Sequence, residues 1–310
     1  MKFAVVLVTY NRLECLKIAL KKYEMQTLVP AYLFVVNNAS TDGTGEFLRQ
    51  WVEKKNTAFE KVVMNVENNS GGAGGFALGV ERALQTECDF LFLADDDAYA
   101  EENTLSELAN AYARSCNQEE VSALCTAIFR YGKLDTTQRG HIHKTAYKVE
   151  FHVTTEAEYT EPFRVDTLSF VGAALKCEAV RGIGLPLKEY FIHFDDVEYS
   201  MRLARVGDIY CVPSSIMNHD TEETVKITWK NYYGLRNEIV SIKKHYPKRY
   251  YYFLILDKYI RLCSFAARIL KNRTSGQIRM YKAAIRDAIV GCMGMSKEYK
   301  PGTDIEAMKP

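Results

Sequence analysis

Asp89-Phe90-Leu91-Phe92-Leu93-Ala94-Asp95-Asp96-Asp97 is an apolar run that stops at three adjacent carboxylates. A short uninterrupted apolar run reads as a buried strand, so the acids mark where this strand leaves the core. Upstream, the same type of strand recurs between helical segments. Phe3 to Val8 is a buried strand by its β-branched run, and Tyr32 to Val36 and Lys61 to Asn65 are two more. Leu13, Leu16, Ala19, Leu20 and Tyr23 share one helical face. A second helix is expected from about Thr44 to Lys54. Asn68 to Gly75 reads as a glycine-rich loop that enters a third helix, Phe76 to Gln85. Strands alternating with helices imply right-handed crossovers and a mostly parallel sheet covered on both faces. The expected fold class is therefore α/β.

Downstream the pattern loosens. Residues 104–116 read as a helix and 121–129 as a strand. Residues 130–165, polar and rich in Thr, His, Lys and Glu, read as a hairpin or loop excursion. Thr167 to Lys176 is strand-like and Asp195 to Val206 helical. Ile209 to Val212 is strand-like, followed by a Pro213-Ser214-Ser215 turn. From Thr224 onward only helices are expected, rich in Tyr, Lys and Arg. A boundary near residue 221 divides an α/β part, 1–220, from a helical region, 221–310.

The 310 residues are 47% hydrophobic and 25% charged, enough apolar material for a sizeable core. A formal net charge of +1 supplies no general basic field, which argues against a nucleic-acid partner. The eight cysteines, Cys15, Cys88, Cys116, Cys125, Cys177, Cys211, Cys263 and Cys292, form no CxxC pair. That speaks against a zinc ribbon or a thioredoxin motif, and a chain of this size needs no disulfide scaffold. Free thiols in a reducing cytosol are expected. The apolar start breaks at Thr9-Tyr10-Asn11 without a small-residue cleavage site, so it reads as a strand and not a signal peptide. No stretch reaches the ~18 uncharged apolar residues of a spanning helix. The expected location is the cytoplasm, with the inner face of the cell membrane within reach.

Ligands of open α/β sheets bind beyond the carboxyl ends of the strands. Four polar clusters fall there: Thr9 to Arg12, Asn37 to Asp42, Asn68 to Gly75, and Asp95 to Asp97. Adjacent carboxylates repel one another unless a cation neutralises them, and a hard divalent ion commonly bridges carboxylates to substrate phosphates. Alternation along an extended segment lets Asp95 and Asp97 point one way while Asp96 points another. The competing reading is an acidic turn that caps the next helix. The glycines permit either close ligand approach at a helix N-terminus or simply a tight turn. Asp195 and Asp196 suit a general base at a helix start, or helix capping. His219 suits a Mn²⁺ ligand, or a structural histidine.

Together, VLVTYNR, VVNNASTDGT, LADDD and DDVEYSMR resemble the inverting glycosyltransferases of family 2 with the GT-A fold, a Rossmann-like mixed, mostly parallel sheet flanked by helices. NNSGGAGGFALG, FIHFDDVEYSMR and the later NHD are similar to galactofuranosyltransferases, with rhamnosyltransferases using dTDP-rhamnose as the nearest alternative. The resemblance implies a UDP-sugar donor, with UDP-galactofuranose favoured, and a divalent metal, Mn²⁺ or Mg²⁺, as cofactor. It implies donor contacts from Thr9, Asn11, Arg12, Asn38, Asp42, Gly71, Gly72, Gly74, Gly75, Asp96 and Arg236. It implies metal ligation by Asp95, Asp97 and His219, and a general base at Asp196 with Asp195 beside it. The acceptor would be a glycan or lipid-linked oligosaccharide of cell-surface polysaccharide synthesis. Galactofuranosyl polymerases carry extra domains at both ends, and the short tail here favours single addition.

Lys243 to Phe253 mixes cations with aromatics, and Arg261, Arg268, Lys271 and Arg273 add charge beyond it. Such a face suits peripheral contact with an anionic membrane, or a helical cap, or a homo-oligomer contact. A nucleotidyltransferase would need a basic glycine-rich motif near the N-terminus, which Thr9-Tyr10-Asn11-Arg12 does not supply. A non-catalytic sugar-nucleotide-binding protein would not need Asp95, Asp97, Asp196 and His219 together.

Overall fold

The computed structural model describes residues 1–54, 58–115, 117–221, 226–268 and 275–308. Cys116, Lys271, Arg273 and the side chain of Arg268 lie outside that description. The first half runs β1 (Phe3–Thr9), α1 (Leu13–Glu24), β2 (Tyr32–Asn37), α2 (Thr44–Glu53), β3 (Glu60–Asn65), α3 (Gly71–Ala83), β4 (Phe90–Asp95), β5 (Tyr99–Ala100) and α4 (Thr104–Arg114). Then follow β6 (Val121–Arg130), β7 (Lys133–Leu134), β8 (Arg139–Lys144), β9 (Val149–Val153), β10 (Phe163–Val165), β11 (Thr167–Leu168), β12 (Ala173–Lys176), α5 (Cys177–Ile183), α6 (Asp195–Leu203) and β13 (Asp208–Asn218). The chain closes with α7 (Lys230–His245), α8 (Lys248–Arg268) and α9 (Ser275–Val290).

The expected mixed α/β architecture is present. The main sheet has the order β10-β13-β6-β12-β4-β1-β2-β3, and β11-β8-β9 form a second, smaller sheet. Side chains alternate across each strand. Phe3, Val5 and Leu7 pack with Leu16, Leu20 and Tyr23 of α1 on one face. Ala4, Val6 and Val8 pack with Phe76 and Val80 of α3 on the other. Two covered faces explain why β1 is apolar from Phe3 to Val8.

Four sequence expectations change. The glycine run is not a loop, because α3 begins at Gly71 and the glycines form its first turns. Thr167 to Lys176 is two strands, β11 paired with β8 and β12 inserted between β4 and β6. Pro213 to Ser215 is an irregularity inside one long strand, since β13 continues its pairing with β6 from Ile216 to Asn218. The end of the chain is not all helix: beyond α9, Tyr299 and Ile305 are buried against Tyr232, Tyr233 and Ala284. Among the described residues no helix is long and apolar enough to cross a membrane.

Candidate active site at the carboxyl edge of the sheet

Register brings the polar strand ends together. Asn37 pairs with Thr9 on one side and Asn65 on the other, and Val8 pairs with Asp95. β12 runs antiparallel to both β4 and β6, and β13 runs parallel to β6. Two reversals therefore return β13 to the direction of β4, and both strands end at the same edge. Met217 and Asn218 pair with Ala100 and Tyr99 of β5. His219 is anchored where its amide donates to the Phe129 carbonyl at 2.8 Å.

Asp95, Asp97 and His219 each present one ligand atom, all within 4.8 Å of one another. His219 Nε2 lies 3.4 Å from Asp97 Oδ1, and His219 Nδ1 is buried without a hydrogen-bond partner. Unpartnered buried polar atoms cost stability unless something satisfies them. Two carboxylates and an imidazole are a donor set that a divalent cation such as Mn²⁺ accepts, so these residues fit a metal. Asp96 stands apart from the three: it is buried, and Arg12 donates to its Oδ1 at 3.3 Å and also to Asp97 Oδ2.

Electrostatics divide the acids. Burial, reinforced by Asp97 and Asp96, pushes the Asp95 carboxyl up to about 7. Burial lifts Asp96 to about 6 although Arg12 opposes it. Burial also works upward on Asp97, but the His219 ring and Arg12 outweigh it and hold that carboxyl below its ordinary value. His219 shows the converse: burial works downward, and the bond to Asp97 raises it above the usual imidazole range.

The rim is a loop framework. Asn11, in the left-handed region at φ 53°, accepts the Thr41 amide at 2.7 Å, and its own amide donates to Ser40 Oγ at 3.0 Å. Asp42 accepts the Leu13 amide at 3.0 Å and the Thr44 hydroxyl at 2.6 Å, which ties together the starts of α1 and α2. Asn38, expected at the donor, is engaged within the protein. This side chain is buried and donates to Asn69 Oδ1 and the Gly71 carbonyl, while its Oδ1 accepts from Ser70. All its capacity goes into fixing the β2 loop to the start of α3.

The glycines divide likewise. Gly71 has φ +73°, and a Cβ there would lie 1.9 Å from the Phe191 carbonyl oxygen. That oxygen accepts the Ala73 amide at 3.1 Å. A Cβ on Gly75 would meet Val8 Cγ1 at 2.5 Å, and one on Gly74 would meet Ser70 at 2.5 Å. Gly71, Gly74 and Gly75 thus permit a close approach of neighbouring atoms that a side chain would block. Only Gly72 of the four has nothing within 4 Å of a built Cβ.

Phe191, His193 and Phe194 all have positive φ, at 67°, 63° and 67°. Strain of this kind persists only where the surroundings over-determine it. Here α3 holds one side, and Asn237 donates to the carbonyls of Tyr190, Ile192 and His193 on the other. Arg236, expected at the diphosphate, is held by the same loop. It is buried and donates to the Tyr190 and Gly294 carbonyls and to Asn237 Oδ1, so its guanidinium is committed to the loop.

That loop sets the start of α6. Asp195 is buried and is pushed well above the ordinary carboxylate range, by burial first and then by Asp196. Asp196 is lifted by burial to about 6, with its Oδ1 accepting the Val197 amide at 2.8 Å. Asp195 also feels the charge of Asp95, so the α6 acids and the β4 acids belong to one electrostatic neighbourhood. Sequence reading missed Arg139, at the start of β8. It is 1% exposed, donates to the Thr126, Gln138 and Val171 carbonyls, and opposes the rise of Asp196. A single arginine inside a polar stretch carries no local sign of burial, so only tertiary packing reveals it.

A family model described as "Glycosyl transferase family 2" matches residues 4–183. The chain is 33% identical over 207 residues to galactofuranosyltransferase GlfT1 of Mycobacterium tuberculosis (strain ATCC 25618 / H37Rv), covering 66% of this chain and 65% of that protein. It is 27% identical over 202 residues to GlfT1 of Mycolicibacterium smegmatis, covering 65% of each. The chain thus spans somewhat less than two thirds of the length of these relatives. Among solved structures, GalNAc-T7 with UDP, GalNAc and Mn²⁺ superposes with a TM-score of 0.64 at 14% identity, covering 94% of this chain and 56% of that one. S. aureus TarS 1-349 in complex with UDP gives 0.58 at 17% identity, covering 93% and 81%. At such identities the likeness is one of fold.

Proposed function

From the premise that this chain belongs to glycosyl transferase family 2, we propose that it is an inverting, metal-dependent galactofuranosyltransferase acting from UDP-galactofuranose on a glycan or lipid-linked acceptor. The observation that carries the reading is the convergence of Asp95, Asp97 and His219 at the carboxyl edge of the sheet. Likeness to the GlfT1 proteins supports the choice of donor. A divalent metal held by these three residues would neutralise charge on the leaving nucleotide diphosphate.

The chain's own residues do the rest. Arg12, 47% exposed at its side chain while bound to Asp96 and Asp97, keeps a cation at the mouth of the acidic cluster, on the side a diphosphate would approach. Thr9, Asn11 and Gly72 line the edge where the nucleotide is expected. Asp196 takes the proton of the acceptor hydroxyl. With its carboxyl near 6, it is ionised at neutral pH yet basic enough to accept. The acceptor oxygen bonds to the anomeric carbon, the bond to the diphosphate breaks with its electron pair leaving on the diphosphate, and the centre inverts. Asp195, whose carboxyl is pushed upward by burial and by Asp196, sits beside it.

Incubation with nucleotide sugars and Mn²⁺ tests the proposal. UDP release from UDP-galactofuranose is expected, and should be faster when a glycan acceptor is added. Release of dTDP from dTDP-rhamnose, without UDP release, would replace the donor. Release of no nucleotide from any sugar would remove the transferase reading.

A further inference from the structure

A second polar cavity lies away from the sheet edge, about 550 Å³ in volume, between the end of β8, the end of α6 and the α7–α8 junction. Its charged lining is Lys144, Arg164, Arg205 and Arg249 against one carboxylate, Asp166, with His245 beside them. Arg164 is already paired with Asp208 at 2.8 Å. Asp166 accepts the Ile142 amide at 2.8 Å and lies 3.9 Å from His141 Nδ1. The remaining three cations, Lys144, Arg205 and Arg249, have no carboxylate partner among the described residues.

These cations are nevertheless held in place, and none of their holders is a carboxylate. Arg205 donates to His245 Nδ1 at 2.9 Å and is 3.4 Å from the His245 carbonyl. His245 is itself 3% exposed and locked through Nε2 to the buried Glu198 at 2.7 Å. Glu198 is further bound by Arg202 and Lys244, so its charge is consumed inside the protein. The Arg249 guanidinium lies 4.9 Å from the Tyr250 ring centre, and Lys144 Nζ lies 5.8 Å from that of Tyr246. Ordinary surface cations wander and lose side-chain entropy on binding. Cations pre-positioned by aromatic and imidazole partners lose less of it, and their charge is left for an incoming anion.

We propose that this cavity is a binding site for a phosphoryl group, separate from the strand-end site. Two guanidiniums and an ammonium match a di- or polyanion better than a monocarboxylate, because arginine forks bind phosphate oxygens in pairs. Its position suggests what carries the phosphate. α6 begins at Asp195 and Asp196 and delivers Ala204 and Arg205 to the cavity, eight residues or about 12 Å from Asp196. β8 makes the same journey from the buried Arg139 to Lys144. Resting on the transferase reading, the phosphoryl group belongs to the acceptor, bound beyond the sugar whose hydroxyl faces Asp196.

The test is titration of inorganic pyrophosphate into the full chain in EDTA by calorimetry, beside a Lys144→Ala/Arg249→Ala double variant and an Asp97→Asn control. Both substituted lysine and arginine side chains are exposed, and equal melting temperatures verify the fold. Binding at least 10-fold weaker in the double variant, unchanged in Asp97→Asn and absent with acetate, is expected. Equal affinity in parent and double variant, or acetate binding as well as pyrophosphate, overturns the site. Pelleting with phosphatidylglycerol vesicles separates the sources. Pyrophosphate binding without pelleting assigns a soluble phosphorylated ligand. Pelleting that pyrophosphate reverses assigns a lipid-borne phosphoryl group, and pelleting that pyrophosphate does not reverse overturns the cavity in favour of a flat charged surface. Because no transfer is measured, loss of this site with UDP release intact refutes only the cavity, and the reverse result refutes only the transferase.

Discussion

Replacing Asp95 by Asn should make the metal-free protein more stable above neutral pH. Burial and the two neighbouring acids raise this carboxyl from 3.8 to about 7. Between those values the folded chain holds a proton that the unfolded chain has released, so stability falls as pH rises through this window and levels off above it. Roughly three pKa units at about 1.4 kcal/mol each set a ceiling of about 4 kcal/mol. Relaxation and water penetration at a partly exposed edge reduce this to about 2 kcal/mol. Urea unfolding of parent and Asp95→Asn at pH 5 and pH 8 in EDTA measures it. The other raised carboxyls, Asp96, Asp195 and Asp196, titrate in both proteins, so the difference reports Asp95 together with its charge on those neighbours. Because pH 5 already lies inside the window, the parent should lose about 1 kcal/mol more than the variant between the two pH values. Excess Mn²⁺ at pH 8 should restore the parent, by about 2.7 kcal/mol at a hundred times Kd, and leave the variant unmoved. Parallel pH dependence in the two proteins, or a variant less stable than the parent at pH 8, would show that Asp95 is not strained by its neighbours.

Asp196→Asn should lower turnover about 10²–10⁴-fold with donor affinity unchanged by calorimetry, and should abolish an acidic limb of the rate profile near pH 6, the value to which burial lifts Asp196. Asp97→Asn should instead weaken Mn²⁺-dependent donor binding as well as turnover; equal donor affinity in the two variants would collapse the distinction between base and metal site. Gly71→Ala should cost about 2–3 kcal/mol by denaturant unfolding, because it adds left-handed strain to a 1.9 Å approach on the Phe191 carbonyl. Gly72→Ala meets nothing within 4 Å and should be neutral or stabilising by about 0.5–1 kcal/mol, so any loss of UDP protection in a thermal melt would locate the donor at that residue. UDP with Mn²⁺ should raise the parent's melting temperature more than dTDP or GDP does, and stronger protection by dTDP would reverse the choice of donor.

The alternation of Phe3–Thr9, Tyr32–Asn37 and Phe90–Asp95 with amphipathic helices was legible because hydrophobic period is local. It reports which face of an element is buried, and at which residue the chain leaves the core. The same logic exposed Asp95 to Asp97 as charges ending a buried strand, and Asp195 and Asp196 as acids starting a helix. Residue type and spacing also marked Asp95 and Asp97, and the family resemblance added His219. What sequence could not decide was where each polar side chain spends its bonds. Asn38, Gly75 and Arg236 look like ligand contacts in isolation, and only the fold shows that they also bond or pack against the start of α3, Val8 and the Tyr190 carbonyl. Nor does any pattern along the chain bring His219 to Asp97, more than a hundred positions away. That meeting depends on the antiparallel insertion of β12 between β4 and β6, which restores the direction of β13. The cavity between β8, α6 and α7 has the same origin: Lys144, Arg205 and Arg249 are scattered cations in sequence and neighbours only after packing. Period is a property of successive residues, whereas register and partnership are properties of elements far apart, and tertiary structure alone decides those.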